Sequence, residues 1–200
     1  MPDLKPVTLT TERLRLRWMT EHDAAAHFAV LSDPEVTRYW SGAPWTDIAQ
    51  STEAIAATMA GYADGSGLRF GVELRESGEL IGNVSLHHFV EQNRRCEIGY
   101  ALASRHWGQG YVTEALEAMI RYGFEVLGLN RIEADIDPLN VGSARVLEKL
   151  GFRQEGYMPE RWIVGGQTAD TAFYGLLRPS APSRPGSRGG HRGLRTPGYT

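Results

Sequence analysis

The segment that most restricts the fold is a glycine-containing stretch at residues 105–110, Arg-His-Trp-Gly-Gln-Gly. It lies between residues 95–103, which have strand character, and residues 111–127, which have the apolar periodicity of a helix. Glycines at such a junction let the backbone approach a ligand closely. The free N–H groups and the dipole at the start of the helix both favour an anion. The segment therefore predicts an α/β protein with an anion site that needs no charged side chain.

Two common phosphate-binding loops do not fit this segment. The Gly-x-Gly-x-x-Gly pattern of dinucleotide-binding proteins is absent, and no Gly-Lys-Ser/Thr follows as it does in a Walker A loop. A kinase is disfavoured because no lysine or metal-binding aspartate accompanies the loop. On the glycines alone, a tight turn that binds no ligand stays open as the alternative.

Hydrophobic periodicity predicts seven strands and four helices in one mixed α/β domain over residues 8–178. The order is strand, two helices, three strands, helix, strand, helix and two strands, with no internal repeat or interior linker. The first helix begins at Thr20 and ends at Pro34. The remaining elements are strands at 9–18, 68–75, 79–89, 95–103, 131–136, 152–157 and 168–177, and helices at 47–63, 111–127 and 140–150.

Residues 179–200 differ in composition from the rest of the chain. They contain four prolines, five glycines, four arginines and no acidic residue, so we predict a disordered tail that cannot bury enough apolar surface to fold. Without this tail, the chain has 17 basic and 24 acidic residues and a net charge of −7, which favours cationic substrates. The tail is either a solvated segment without function or a basic arm that contacts RNA or another polyanion. Nothing else predicts a nucleic-acid partner, because the whole chain carries a net charge of −3.

The cysteine content and the absence of long apolar runs predict the compartment. Cys96 is the only cysteine, which excludes an internal disulfide and a thiolate zinc cluster. No run of about 18 apolar residues is present, and residues 1–5 lack the apolar core of a signal peptide. We therefore predict a cytoplasmic protein with no membrane partner, and its oligomeric state stays open.

Four segments resemble a known enzyme family. The pattern Arg105-x-x-Gly108-x-Gly110 resembles the (Arg/Gln)-x-x-Gly-x-(Gly/Ala) signature of the GNAT family of N-acetyltransferases. Residues 107–115 are similar to the version of its RimJ/RimL branch, the ribosomal-protein N-terminal acetyltransferases. Residues 11–17, 97–100 and 140–152 also resemble that branch, so the resemblance covers about residues 8–178. It implies a mostly antiparallel sheet with one splayed strand pair, and acetyl-coenzyme A (acetyl-CoA) as co-substrate without a metal.

The resemblance also implies which residues hold acetyl-CoA. In that family, backbone amides of the loop bind the pyrophosphate, and the pantetheine arm lies where the strand before the loop splays from the next parallel strand. Asn140 would hold the same arm, or it would only cap its helix. The predicted cofactor-binding residues are Leu102 and Ala103 through their backbone, the loop residues Arg105, Gly108, Gln109, Gly110 and Tyr111, and the helix residues Asn140 and Ser143.

Acetyl transfer needs a neutral amine, a polarised thioester carbonyl and a proton for the leaving thiolate. We predict Glu97, on the splayed strand, as the general base, acting directly or through water; the alternative is an ordinary exposed carboxylate. Many family members protonate the thiolate with a tyrosine, but the corresponding residue here is Leu147. Ser143 is the nearest hydroxyl and is predicted to hydrogen-bond the sulfur, with simple helix packing as the alternative. Adjacent His87 and His88 are predicted to point to opposite faces of a strand, which prevents them from sharing a metal easily.

The predicted reaction is transfer of an acetyl group from acetyl-CoA to a primary amine, such as a protein N-terminal α-amine or a small amine. An α-amine, with a pKa of about 7.7–8.0, is partly neutral already, whereas a lysine side chain, with a pKa near about 10.4, demands more help from a base. One alternative is an aminoglycoside-type antibiotic acetyltransferase, because an acidic domain attracts polycations. Another is a non-catalytic acyl-CoA-binding sensor, which the missing tyrosine leaves open.

Overall fold

A central eight-stranded sheet organises residues 4–179, the part of the chain described by the computed structural model. Its strands are β1 (Leu9–Thr10), β2 (Leu14–Trp18), β3 (Gly67–Leu74), β4 (Leu80–Val90), β5 (Arg95–Leu102), β6 (Arg131–Ile136), β7 (Arg153–Val164) and β8 (Gln167–Leu177). The spatial order is β1-β2-β3-β4-β5-β6-β8-β7. Only the β5–β6 pair is parallel, so the prediction of a mixed, mostly antiparallel α/β fold is confirmed.

Five helices flank the sheet: α1 (Ala24–Leu31), α2 (Pro34–Thr37), α3 (Ile48–Asp64), α4 (Tyr111–Glu125) and α5 (Val141–Lys149). On one face, Leu116 and Met119 of α4 and Leu147 of α5 are fully buried against strand residues such as Phe70 in the main core. On the other face, α1 and α3 bury smaller apolar clusters. Among the helices of residues 4–179, none is both long and apolar enough to cross a bilayer.

Three predicted element boundaries are wrong. The single strand at 9–18 is two antiparallel strands, joined by a turn in which the Thr11 hydroxyl accepts from the Leu14 N–H. The first helix ends at Leu31, before Pro34. Pro34 is instead the first residue of α2, whose cap Asp33 accepts from the Glu35 N–H. The first position of a helix suits proline, which has no N–H to donate. The strand predicted at 152–157 continues to Val164 and forms a long hairpin with β8. The predicted tail beyond Pro179 lies outside the described residues.

The parallel strands β5 and β6 separate after a short shared segment. Their residue pairs are Arg95–Arg131, Cys96–Ile132 and Glu97–Glu133. Beyond Glu97, β5 stays paired with β4 as far as Leu102, while β6 stays paired with β8 as far as Ile136. The sheet therefore opens between β5 and β6, as the resemblance implied.

Candidate active site

A cleft of about 770 Å³ passes through this opening and reaches both faces of the sheet. Its floor includes Gly99 and Tyr100 of β5, whose side-chain positions alternate between the two faces. Asn140 and Ser143 at the start of α5 line one side, and Ser85 and His87 of β4 line the other. A ligand bound on one face of the sheet can therefore contact a ligand bound on the other.

The loop before α4 has the geometry of an anion site. Gly108 (φ 73°) and Gly110 (φ 82°) adopt the left-handed conformation that glycine tolerates best. Gly110 is the N-cap of the 15-residue helix α4, and no side chain caps that end. The Glu114 N–H donates to the Gly110 carbonyl at 3.1 Å, which leaves the N–H groups of the first turn for a ligand. This arrangement fits the pyrophosphate that the sequence led us to expect here.

Side chains around the loop stabilise its shape. The Arg13 guanidinium stacks over the Tyr111 ring at 4.4 Å, donates to the Gln109 carbonyl at 2.9 Å and forms an ion pair with Glu114 at 2.7 Å. The Arg105 guanidinium extends away from the loop to an exposed ion pair with Glu79 at 2.5 Å. The cofactor role predicted for this loop thus depends on its backbone more than on its side chains.

The two predicted pantetheine contacts on β5 differ in what their backbone offers. The Ala103 N–H donates to Ile81 and the Ala103 carbonyl accepts from His106, so both its polar groups already have partners. Peptide groups alternate in direction along an antiparallel strand; those of Leu102 and Tyr100 therefore point away from β4, into the opening. The Leu102 carbonyl accepts from the Trp107 indole at 2.8 Å. The Leu102 and Tyr100 N–H groups therefore point into the opening between β5 and β6.

The start of α5 brings a serine and a tyrosine together. Asn140 caps the helix by accepting from the Ser143 N–H at 3.0 Å. The Ser143 hydroxyl is buried and lies 2.5 Å from the Tyr100 hydroxyl, and both residues line the cleft. Burial raises the pKa of Tyr100 to about 12, so this phenol stays protonated at neutral pH. Leu147 is fully buried in the core. The hydroxyl beside Ser143 belongs instead to Tyr100 of β5, which spacing along α5 could not indicate.

Glu97 lies in a cluster with both histidines of β4. Its Oε2 is 3.0 Å from His88 Nδ1 and 3.8 Å from His87 Nε2, and the three ligand-type atoms all lie within 4.8 Å of one another. The prediction that His87 and His88 point to opposite faces is wrong, because the β4–β5 register shifts at a bulge after His87 and His88 has a left-handed φ of 51°. His87 lines the cleft, whereas Glu97 lies behind it. Burial lowers the pKa of His87, which favours its neutral ring.

The wall of the cleft opposite the histidines is acidic. Asp135 of β6 and Asp137, just after the end of β6, line the cleft. Asp170 of β8 lines it too and accepts hydrogen bonds from the Tyr157 hydroxyl and the Glu160 N–H. Burial, followed by the nearby Glu97 carboxylate, raises the pKa of Asp135. By contrast, Cys96 is fully buried and burial raises its thiol pKa to about 12, as expected of a packing residue.

Comparison with known proteins identifies the family of this site. Residues 13–153 match the acetyltransferase (GNAT) domain family. The uncharacterized N-acetyltransferase YoaA of Bacillus subtilis is 39% identical over 171 residues, which cover 86% of this chain and 97% of the relative. The [ribosomal protein uS5]-alanine N-acetyltransferase of Escherichia coli is 28% identical over 182 residues, covering 86% of this chain and 92% of the relative.

A solved structure gives the same result. The crystal structure of a GNAT-family acetyltransferase from Bacillus anthracis superimposes with a TM-score of 0.77 and 28% identity, covering 86% of this chain and 98% of that one. The uncapped helix, the glycine loop and the splayed strands all fit acetyl-CoA as co-substrate. The chain belongs to the GNAT family and is an acetyl-CoA-dependent acetyltransferase.

Proposed function

We propose that the acceptor is a weakly basic primary amine, either the α-amine of a protein N-terminus or the amine of a small molecule. The observation that carries this proposal is the continuity of the cleft from Ser143 and Tyr100 to Ser85 and His87. An amine beside Gly99 on the second side can approach a thioester held on the first. The uS5-alanine acetyltransferase among the relatives supports an α-amine.

Acetyl transfer needs an amine that attacks from one side of the opening and a thioester that is polarised on the other. The neutral amine nitrogen attacks the thioester carbonyl carbon, a C–N bond forms, the C–S bond breaks, and the amine loses one proton while the thiolate gains one. The N–H groups of Leu102 and Tyr100, directed into the opening, polarise the carbonyl as its oxygen gains charge. Both groups belong to a strand that is already paired on its other side, so little reorganisation is needed.

Glu97 removes the amine proton by way of His87. The His87 ring lies between the cleft and the Glu97 carboxylate, and its lowered pKa leaves a ring nitrogen able to accept a proton. Glu97 then stabilises the charged ring, as a carboxylate does behind a catalytic histidine. In this mechanism His87 is the group that accepts the proton, and Glu97, which the sequence predicted as the base, acts through it.

Ser143 and Tyr100 stabilise the departing sulfur. A phenol with a pKa of about 12 is a poor proton donor to a thiolate, whose conjugate acid has a pKa of about 8.5. The hydroxyl pair therefore donates a hydrogen bond to the thiolate as its charge develops and keeps its own protons. The proton that the thiolate finally receives is the one released by the amine.

A screen of acceptors by coenzyme A release tests this function. Peptides with different N-terminal residues, polyamines and aminoglycosides are compared at equal concentration, with acetyl-CoA saturating. We expect the highest kcat/KM for an α-amine or a small weakly basic amine. A polyamine or aminoglycoside as the best acceptor would contradict the proposal.

A further inference from the structure

Arg69 of β3 is a charged residue without a charged partner. Seven other arginines of residues 4–179 form ion pairs with carboxylates: Arg13, Arg15, Arg17, Arg95, Arg105, Arg131 and Arg161. Within the same range Arg69 forms none, and its Nε is buried with no hydrogen-bond partner. Burial lowers the pKa of the guanidinium. An unpaired charge on this half-buried side chain costs stability, and an anionic ligand would offset that cost.

Arg69 faces the same cleft as other unused donors. Asn83 of β4 is buried, lines the cleft, and leaves its Nδ2 without a partner. Arg38, exposed at the end of α2, lines the cleft as well. A second cavity of about 310 Å³ behind Arg69 is lined by no acidic residue. The donors on this side of the cleft therefore have no acceptor in the described chain.

The acidic wall of the cleft does not neutralise Arg69, because its carboxylates have other partners. Asp135 forms an ion pair with Arg161 at 3.8 Å, and Asp170 accepts from Tyr157 and Glu160. Asp137 accepts from the Leu139 N–H at 2.8 Å. The cleft is thus divided into a wall whose acidic groups are satisfied and a wall whose basic and amide donors are not.

Arg69 lies on the same face of the sheet as Gly99, beside which the amine is proposed to react. Arg69 pairs with Ser85, and Ser85 pairs with Gly99, so all three share one face of the sheet. Neighbouring strands lie about 4.8 Å apart, which puts the Gly99 backbone about 10 Å from that of Arg69. A long arginine side chain covers much of this separation. An anionic group held by Arg69 would therefore lie only a few bonds from an amine that reacts beside Gly99.

We propose that Arg69, with Asn83 and Arg38, forms a carboxylate-binding subsite, and that the acceptor is an amine with a carboxylate a few bonds from its nitrogen. The planar fork of a guanidinium binds a carboxylate through two parallel hydrogen bonds. The proposal rests on the proposed function, because it assumes an amine in this cleft. Two sources supply the same chemistry: a free amino acid, and a peptide with an acidic residue next to its N-terminus.

Matched acceptors test the subsite. The α-amides of glutamate and glutamine, which differ only in the side-chain carboxylate, form one pair. Peptides beginning Ala-Glu and Ala-Gln form another, and the better pair identifies the source. We expect the carboxylate member of one pair to have a kcat/KM at least about tenfold higher, since a charge-assisted hydrogen bond contributes more than a neutral one. In Arg69→Gln this advantage should disappear, because kcat/KM falls far more for the carboxylate member than for the amide member, while the affinity for acetyl-CoA stays the same. Equal use of both members by the wild-type enzyme would overturn the subsite and leave the amine function intact.

Two further measurements separate the possible failures. Because the guanidinium has no partner to lose, Arg69→Gln should keep or increase the melting temperature; a lower melting temperature with unchanged selectivity would show a structural role and overturn the subsite. Arg69→Lys keeps the charge but not the fork and should keep part of the preference. If no amine is acetylated, the proposed function fails, and calorimetry still tests the subsite. We expect the α-amide of N-acetylglutamate to bind more tightly than the α-amide of N-acetylglutamine and this difference to be lost in Arg69→Gln. Equal binding of the two compounds would overturn the subsite.

Discussion

The two sides of the cleft are built from different parts of the chain. On the proposed cofactor side, the groups that face the cleft are backbone N–H groups of the loop, of α4 and of β5, and the nearby side chains of Arg13 and Arg105 bind to the protein itself. On the proposed acceptor side, the polar groups that line the cleft include the side chains of His87, Ser85 and Arg69. A backbone site tolerates side-chain changes and is sensitive to an added Cβ, whereas a side-chain site should behave in the opposite way.

The largest expected effect is on the acceptor side, at Glu97. Glu97→Gln keeps the shape but removes the negative charge that stabilises protonated His87, so the rate with a good amine at neutral pH should fall by roughly a hundredfold or more. The loss should shrink as pH rises above the pKa of about 7.7–8.0 of an α-amine, because the acceptor is then neutral without a base. Steady-state rates across pH measure both effects.

Glu133→Gln provides the control for Glu97. Glu133 is the register partner of Glu97 on β6, and it pairs with Arg95 and Arg131 outside the cleft. We expect it to leave the pH dependence unchanged. A Glu97→Gln enzyme with normal rates at neutral pH would show that proton removal does not need this carboxylate and that Glu97 is only a strand carboxylate.

The next effect is on the cofactor side, at Gly110. Gly110→Val adds a β-branched side chain where φ is 82°, which should displace the loop and lower the affinity for acetyl-CoA at least about tenfold, or about 1.4 kcal/mol. Gly78→Val is the matched control, since Gly78 has a φ of 74° and open space around it and lies in the β3–β4 turn. Calorimetric titration compares the two variants. Equal losses in both would mean that backbone strain, not the anion site, causes the effect.

Ser143 should give a smaller effect, and only on turnover. Its hydrogen bond strengthens as the thiolate forms, so Ser143→Ala should lower kcat about fivefold, a typical value for one neutral hydrogen bond, with acetyl-CoA affinity nearly unchanged. Tyr100→Phe should lower kcat in the same way, and the double variant should lose little more than either single one, because the two hydroxyls act as a pair. Unaffected turnover in Ser143→Ala would make Ser143 a packing residue.

The smallest expected effect is at Arg105, although it is the first residue of the family signature. Its guanidinium is exposed and pairs with Glu79, and such surface pairs contribute little. Arg105→Ala should therefore change the affinity for acetyl-CoA by less than about twofold. A loss as large as that of Gly110→Val would show that the side chain turns to the phosphates, and the contrast between the two sides would be wrong.

The sequence predicted the backbone site better than the side-chain site. Glycines at a strand–helix junction can be recognised from the residues next to them in the sequence. The loop at Gly108 and Gly110 could therefore be located from spacing alone. The cluster of Glu97 with two histidines could not, because a bulge that turns His88 leaves no mark in an alternating strand pattern. Likewise, the pairing of Tyr100 with Ser143 and the isolation of Arg69 depend on which strands are neighbours.

The sheet is interrupted in the middle, and this has a mechanical consequence. Strands β1–β5 and β6–β8 share three residue pairs along the seam, and one apolar core packs against both parts. Beyond Glu97 the two parts are therefore joined by packing and not by backbone hydrogen bonds. A pantetheine arm laid along the gap would act as a missing strand, and occupancy at a hundred times the dissociation constant would add about 2.7 kcal/mol of stability. The coenzyme would then be a structural part of the protein between turnovers as well as a reactant. A fall in the concentration of acetyl-CoA would therefore lower the stability of the fold as well as the rate of the reaction.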